Sequence, residues 1–219
     1  MKFNVQSYEY HYTTNQLSHA HGYLLPSLLA LLPKAKGQEW PRILDLGCGN
    51  GSLTHALAQQ GYEVTGMEES PSGVEIAQQN FPDCQFIQGS IYSPPPDSFD
   101  NSFDIVISVE VIEHLYYPKE LTRLAKRCLK PNGRLIVTTP YHGYLKNLAL
   151  ALMGAMDRHH TVLWDGGHIK FFSVNTLSQL LIAEGYTDLQ FKFAGRAPYL
   201  WKSMLCNATL SKTQHTQSS

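Results

Sequence analysis

Between residues 41 and 139 short β-rich apolar runs alternate with helical stretches, with Gly, Pro and Asn between them. The pattern predicts strands at 42–46, 62–67, 85–88, 103–109 and 134–139, and helices at 52–60, 70–80 and 119–129. Gly61 stops the first of these helices, Asn80 and Pro82 the second, and the run Lys130-Pro-Asn-Gly133 follows the third; residues 94–96 form a Pro-rich loop. Strands alternating with helices imply βαβ units and a parallel sheet covered on both faces.

After Pro140 the rhythm changes. Residues 144–156 read as an apolar helix, 157–170 as a loop bearing His, Trp and Gly, and 174–184 as a helix ending at Gly185. Two strands at 187–193 and 203–210, joined through Gly195-Arg-Ala-Pro198, predict an antiparallel hairpin at the sheet's end. The stretch 17–32 is expected to be a helix outside the sheet order, and the polar tail from Ser211 is expected to fray. The expected fold class is therefore α/β: a mostly parallel seven-stranded sheet with a C-terminal antiparallel hairpin and helices on both faces. One domain at 1–210 is expected, divided into an N-terminal helical lid (1–40), a cofactor-binding half (41–140) and an acceptor-site insert (141–172), with 211–219 a polar tail.

Composition narrows the partners. The 219 residues carry 17 Lys+Arg against 18 Asp+Glu, a net charge of -1, which leaves no basic excess for duplex nucleic acid. Cys48, Cys84, Cys128 and Cys206 are widely spaced and form no CxxC pair, so a reduced, cytoplasmic protein is expected rather than a disulfide framework or structural zinc site. Residues 1–12 lack the charged head and apolar run of a secretion signal. The apolar stretches at 24–32 and 148–156 fall short of the ~18 residues that span a membrane.

The segment Asp45-Leu-Gly-Cys-Gly-Asn-Gly51 sits at the carboxyl end of the first strand, where a nucleotide site belongs. A dinucleotide fingerprint, Gly-x-Gly-x-x-Gly, needs a third glycine at position 52; Ser52 is there, and the glycines run Gly47-x-Gly49-x-Gly51. Asp45 would repel a pyrophosphate but attract an ammonium group. Glu68, ending the second strand, is placed to accept hydrogen bonds from ribose hydroxyls. Glycine backbone, ammonium partner and sugar partner together describe S-adenosylmethionine.

Through these residues the chain resembles class I S-adenosylmethionine-dependent methyltransferases. The likeness covers residues 40–140 through Ile43-Leu-Asp-Leu-Gly-Cys-Gly-Asn-Gly51, Gly66-Met-Glu68, Phe103-Asp-Ile-Val-Ile-Ser-Val-Glu110 and Leu129-Lys-Pro-Asn-Gly-Arg-Leu135. The resemblance implies a Rossmann-like methyltransferase fold, with Asp45, Gly47, Cys48, Gly49 and Asn50 at the methionine moiety. It places Glu68 and Glu69 at the ribose, residues 88–91 including Gly89, Ser90 and Ile91 at the adenine edge, and Val109 beside the cofactor. Ser90 stands where the family often carries an acidic residue for the adenine amine. Cys48 also reads simply as a small side chain in the turn, and Met67 as core or pocket lining.

Methyl transfer to oxygen needs a base or a metal to remove the hydroxyl proton. In Glu110-Val-Ile-Glu-His114, residues 110, 113 and 114 would share one face of a helical turn. The stretch resembles Glu-x-x-Glu-His of ubiquinone-biosynthesis O-methyltransferases, the closer likeness, and of small-RNA 2′-O-methyltransferases. That resemblance implies a divalent cation on Glu110, Glu113, His114 and, later in the chain, His168. Imidazoles in such a set favour transition metals over Mg²⁺. Without metal, His114 or His168 is the expected general base.

Other histidines read less specifically. His159, His160, Trp164 and Asp165 form a polar loop face or line an acceptor pocket, and His11, His19 and His21, interleaved with Tyr8, Tyr10, Tyr12 and Tyr23, form a lid or a half-buried helix. His55 falls on the first predicted helix, His142 after a strand end and His215 in the tail. The apolar segment 145–156 packs in the core or against a second subunit, covers a greasy acceptor, or touches a membrane surface weakly. The chain is expected to be monomeric or homodimeric.

The leading expectation is O-methylation of a small hydroxylated acceptor: a phenol, quinol, sugar or natural product. A non-catalytic S-adenosylmethionine-binding protein, an RNA 2′-O-methyltransferase and a nicotinamide-dependent oxidoreductase are the alternatives, the RNA reading disfavoured by charge.

Overall fold

The computed structural model describes residues 9–34, 40–160 and 162–211; Tyr8 of the expected lid, and His215 with nearly all of the expected tail, lie outside them. Helices α1 (His19–Leu29), α2 (Ser52–Ala58), α3 (Pro71–Asn80), α4 (Pro118–Cys128), α5 (Tyr144–Leu152), α6 (Met156–His160) and α7 (Val174–Ala183) surround one sheet. Its strands are β1 (Arg42–Leu46), β2 (Glu63–Glu68), β3 (Gln85–Gln88), β4 (Phe103–Val109), β5 (Leu129–Pro140), β6 (Tyr186–Ala194) and β7 (Ser203–Leu210). The order is β3-β2-β1-β4-β5-β7-β6, and β7 is antiparallel to both neighbours. The expected α/β architecture, C-terminal hairpin included, is thus observed.

Both faces of the central strands are apolar because each is covered. Leu44, Val106 and Leu135 enter a core closed by α4 and α7, through Leu121, Leu124, Leu177 and Leu181. Their chain neighbours Ile43, Ile105 and Ile136 enter the opposite core with Leu24 and Leu28 of α1 and Leu53 and Leu57 of α2. This alternation within unbroken apolar runs is what a doubly covered sheet requires.

Local chemistry sets the helix starts. Ser18 and Ser70 accept from the amides of His21 and Gly73, and Ser173 and Thr176 form a reciprocal capping box at α7.

Three expectations need correction. The helix expected over 144–156 ends at Leu152, because Gly154 takes a left-handed backbone (φ 61°), and α6 forms inside the stretch read as loop. Strand β5 begins at Leu129, ahead of the expected 134; its pairing with β4 jumps from Phe103↔Leu129 to Ile105↔Arg134, so residues 130–133 bulge with Asn132 left-handed. The β6–β7 connection spans residues 195–202, closing where Lys202 donates its amide to Ala194 and Gly195.

Candidate active site

The chain runs β1 to β3 towards one edge, then returns to place β4 on the other side of β1. The carboxyl ends of the adjacent strands β1 and β4 therefore form the switch point, where open α/β sheets bind ligands. Gly47, Gly49 and Gly51 all have positive φ, so the turn leaving β1 is one that L side chains rarely adopt.

Asp45 is 1% exposed, and its carboxylate accepts a 2.7 Å hydrogen bond from the Thr54 hydroxyl. Burial pushes its pKa up to about 7, against the Thr54 bond and with help from the nearby Glu68 charge. Glu68 accepts from the amides of Gly49 and Ser70 at 2.8 Å each; burial raises its pKa and these bonds hold it back. Cys48 is buried with its amide on Met67 O, and burial lifts its thiol well above the ordinary range. Gly89 donates to Glu68 O, Ser90 Oγ accepts from the Tyr92 amide, Ile91 is half-buried, Glu69 is exposed and Val109 is packed into the core.

The segment before α1 lies over this cradle. Asn50 donates to the carbonyls of Thr14 and Gln16, and the Ser72 hydroxyl accepts from the Tyr12 amide. The Tyr12 ring rests on Gly49 and Gly73, so close that a Cβ at Gly49 would meet its hydroxyl at 2.8 Å. Tyr10 stacks obliquely on Tyr12 and meets Trp164 edge-on, and Trp164 in turn faces His114 and His168. Of the residues read as a lid, Tyr10 and Tyr12 cover the cradle. Tyr23 instead reaches Ser203, while His21 is half-buried on α1, its pKa lowered by desolvation to about 4.

Beyond β4 the expected shared helical face is not formed. Glu110 adopts a left-handed backbone (φ 56°), and only Ile112–His114 turns as a short 3₁₀ helix. The Glu110 side chain consequently points away from the cluster: it accepts from Thr138 Oγ1 at 2.8 Å and Ser203 Oγ at 3.1 Å, and Ser203 also bonds the Tyr23 hydroxyl. Burial pushes its pKa up to about 7, and Thr138, Ser203 and Lys146 pull against that shift. Of the four candidate ligands the structure therefore assembles three, Glu113, His114 and His168, whose ligand atoms lie within 4.8 Å of one another.

The backbone brings them together. Glu113 O accepts from the amides of Ile169 and Lys170, docking the 166–170 loop onto the 3₁₀ turn, and His168 Nε2 stands 3.9 Å from Glu113 Oε1. Glu113 is 0% exposed, and neither carboxylate oxygen meets a hydrogen-bond donor among the described residues; the Thr139 hydroxyl is near enough to favour its charged form but outside bonding geometry. Burial, reinforced by Glu110, drives its pKa well upward.

His114 Nδ1 lies 2.8 Å from Gly166 O; a carbonyl only accepts, so Nδ1 carries the proton and Nε2 keeps its lone pair. Burial lowers the His114 pKa, and lowers that of His168 to about 4 with His114 adding to the effect. Both imidazoles are thus neutral near pH 7. A buried carboxylate without donors beside two neutral imidazoles fits a divalent cation of the transition series.

The sheet order and the glycine turn after β1 define a Rossmann-like methyltransferase fold. The chain belongs to the S-adenosylmethionine-dependent methyltransferases: residues 17–190 match the family model described as a methyltransferase domain. It is 31% identical over 134 residues to the ubiquinone biosynthesis O-methyltransferase of Pasteurella multocida, covering 56% of this chain and 55% of that one. The Vibrio cholerae enzyme of the same name is 27% identical over 166 residues, 73% of this chain and 65% of its own. The alignments span roughly half the length of these curated relatives.

Among solved structures, magnesium protoporphyrin IX methyltransferase from Synechocystis with bound SAH superposes with a TM-score of 0.66 at 20% identity, covering 91% of each chain. A chain of the complex between the Haloferax volcanii Trm112 methyltransferase activator and a methyltransferase gives 0.70 at 18%, covering 90% of this chain and 92% of that one. At such identities the likeness is one of fold. No described helix is long and apolar enough to cross a membrane.

Sequence reasoning missed two features. The Thr138 and Ser203 partners of Glu110 come from β5 and β7, and no local spacing announces them. Lys146 and Arg196 share a cavity with His142, His159 and His160 although one is on an apolar helix and the other in a hairpin connection.

Proposed function

We propose that this methyltransferase transfers its methyl group to an oxygen of a small hydroxylated acceptor of the phenol or quinol type. The observation that supports the reading is the pairing of a neutral His114 and His168 with the buried Glu113 at the carboxyl end of β4, beside the glycine cradle. The relatives named for O-methylation in ubiquinone biosynthesis support it in the same direction.

In this reading S-adenosylmethionine lies along Gly47–Gly49 with its ammonium towards Asp45 and its ribose on Glu68, while Ser90 and Ile91 border the adenine. The acceptor oxygen attacks the methyl carbon, an O–C bond forms as the S–C bond breaks, and the sulfonium becomes a thioether. The hydroxyl proton passes to imidazole, and an imidazolium formed at His168 favours the ionised form of the neighbouring Glu113, against the upward pull of burial, so that the two charges stabilise each other. Tyr12, Tyr10 and Trp164 exclude water from the line of transfer.

A second reading rests on the donor-free carboxylate: Glu113, His114 and His168 hold a divalent cation, which would acidify the acceptor hydroxyl. The deciding experiment follows S-adenosylhomocysteine production from S-adenosylmethionine with catechol and hydroquinone acceptors. His114→Ala and His168→Ala are expected to lose turnover and keep S-adenosylhomocysteine binding. Full turnover in both variants would overturn the reading.

A further inference from the structure

A cavity of about 220 Å³ opens beside the Glu113, His114 and His168 cluster and shares His168 with it. Its walls come from five places in the chain: the end of β5, α5, α6, the 166–171 loop and the β6–β7 connection. Three cationic side chains, Lys146, Arg196 and Lys202, line it together with His142, His159 and His160, and no carboxylate among the described residues lines it.

None of the three cations forms an ion pair among the described residues, and only Lys146 feels an opposite charge, that of Glu110 at longer range. Lys146 is 6% exposed, yet its ammonium donates to a carbonyl, Tyr141 O at 2.7 Å, and not to an acid. Lys202 Nζ stands 2.7 Å from His19 Nε2 and lies over the Tyr23 ring. The Arg196 guanidinium has neither a hydrogen bond nor an ion pair among the described residues, and its backbone is left-handed (φ 62°). Glu110 attracts Lys146 without bonding to it, its oxygens accepting instead from Thr138 and Ser203, which leaves Arg196 and Lys202 with no acidic partner among the described residues.

Like charges gathered at a half-enclosed site, with a lysine buried among them, are unfavourable unless something supplies the opposite charge. The left-handed backbone at Arg196 adds a further conformational penalty for presenting that side chain here. Burial and Arg196 bring the Lys146 pKa down to about 8, the shift expected where cations face one another. The cavity accommodates a small group such as a carboxylate or phosphate and its first ring atoms, not a polyanionic chain.

We propose that this cavity is an oxyanion site and that the methyl acceptor is itself an acid, its carboxylate or phosphate held by Lys146, Arg196 and Lys202 while its hydroxyl reaches the neighbouring histidine cluster. The proposal rests on the methyltransferase site reading above and specifies the acceptor class. Phe171 and Pro140 provide the apolar wall against which the ring of such an acid would lie.

The test is calorimetric titration, with S-adenosylhomocysteine present, of three probes that share one phenolic hydroxyl: phenol, 4-hydroxybenzoate and 4-hydroxyphenyl phosphate. At least one acid is expected to bind roughly tenfold more tightly than phenol, the advantage of a charge-assisted contact, and to lose that advantage in high salt. The tighter of the two identifies the anion's source as carboxylate or phosphate. Arg196→Gln, at an exposed position, and Lys146→Met, which keeps the buried stem, are each expected to bring the acid close to parity with phenol while S-adenosylhomocysteine affinity holds. Equal affinities for all three probes, binding by none, or an acid preference undiminished in both variants would each overturn the site. Failure of the chain to bind S-adenosylhomocysteine would instead strike the cofactor reading, which the same titrations measure separately.

Discussion

His168 Nε2 stands 3.9 Å from Glu113 Oε1 because the carbonyl of the same Glu113 gathers the amides of Ile169 and Lys170. One residue thus holds the loop with its backbone and faces the loop's histidine with its side chain. His168→Ala removes the imidazole without touching those amide bonds, so the loop stays docked. Turnover is expected to fall by about 10²–10⁴, the ordinary contribution of a positioned base, with cofactor affinity within twofold of the parent. Glu113→Gln is expected to behave alike. Zn²⁺ or Mn²⁺ should raise the melting temperature of the parent chain and leave that of His168→Ala unmoved; no rise in the parent removes the cation from this site and leaves imidazole as the base.

Asp45 provides a proton-linked signature of cofactor binding. Burial holds its pKa near 7, so around pH 6.5 a large fraction of the carboxyl is protonated. An ammonium or sulfonium cation placed beside it stabilises the charged form and pulls the pKa down. S-adenosylmethionine binding at pH 6.5 is therefore expected to release protons, read as a dependence of the calorimetric enthalpy on the buffer's ionisation heat. Asp45→Asn keeps an oxygen for Thr54 and is expected to abolish most of that release. An identical release in the variant would move the ammonium contact elsewhere.

The same residue has a stability consequence opposite to that of an ordinary surface carboxylate. Its folded-state pKa lies above the ordinary carboxylate value of 3.8, so between about pH 4 and 7 the folded chain holds more protons than the unfolded one. Stability from this group is full at the acid end and declines as pH rises through 7. Relative to Asp45→Asn, the parent is expected to lose stability progressively from pH 4 to 7 in urea titrations. A constant difference across that range would mean that Asp45 ionises freely.

Glu110 depends on donors from two other strands. Ser203→Ala deletes one of them and leaves Glu110 Oε2 and the Tyr23 hydroxyl without their bond. The expected loss is about 1–3 kcal/mol in chemical denaturation, the penalty for stranding a buried acceptor. Ser203→Thr, which restores the hydroxyl, should recover part of it. No loss in the alanine variant would mean that Glu110 is satisfied by water.

How far this site could be read from sequence follows from the range of each contact. Asp45 and the glycines at 47, 49 and 51 stand out by residue type within one short segment and Glu68 by its place at a strand end, whereas His168, far along the chain from His114, is reached only through the resemblance; the fold brings it to Glu113 and His114. Glu110 was misplaced because its left-handed φ breaks the helical spacing on which its assignment rested, and one torsion has no signature in an ordinary glutamate. Nothing in the apolar segment 145–156 singles out Lys146; its neighbours Arg196 and Lys202 are delivered by the hairpin connection, far away in the chain. Helix α6 was hidden by Gly154, whose left-handed turn ends one helix and frees the chain to begin another.

Two glycines with the same backbone conformation should respond very differently to alanine. Gly51 and Gly154 both have positive φ, 76° and 61°, so each substitution incurs about 1–2 kcal/mol of left-handed strain. At Gly154 a new Cβ meets nothing within 4 Å, so strain is the whole effect. At Gly51 it would stand 2.6 Å from Ala77 Cβ and 2.7 Å from Phe86 Cζ, both parts of a buried core cluster with no flexible end to yield. Overpacking there adds about 1–3 kcal/mol. Urea denaturation is expected to show Gly154→Ala losing about 1–2 kcal/mol and Gly51→Ala clearly more, with S-adenosylhomocysteine affinity falling in Gly51→Ala alone because the displaced turn carries Gly49. Equal losses in the two variants would mean that the turn shifts freely, and the rigid cradle inferred for the cofactor would go with it.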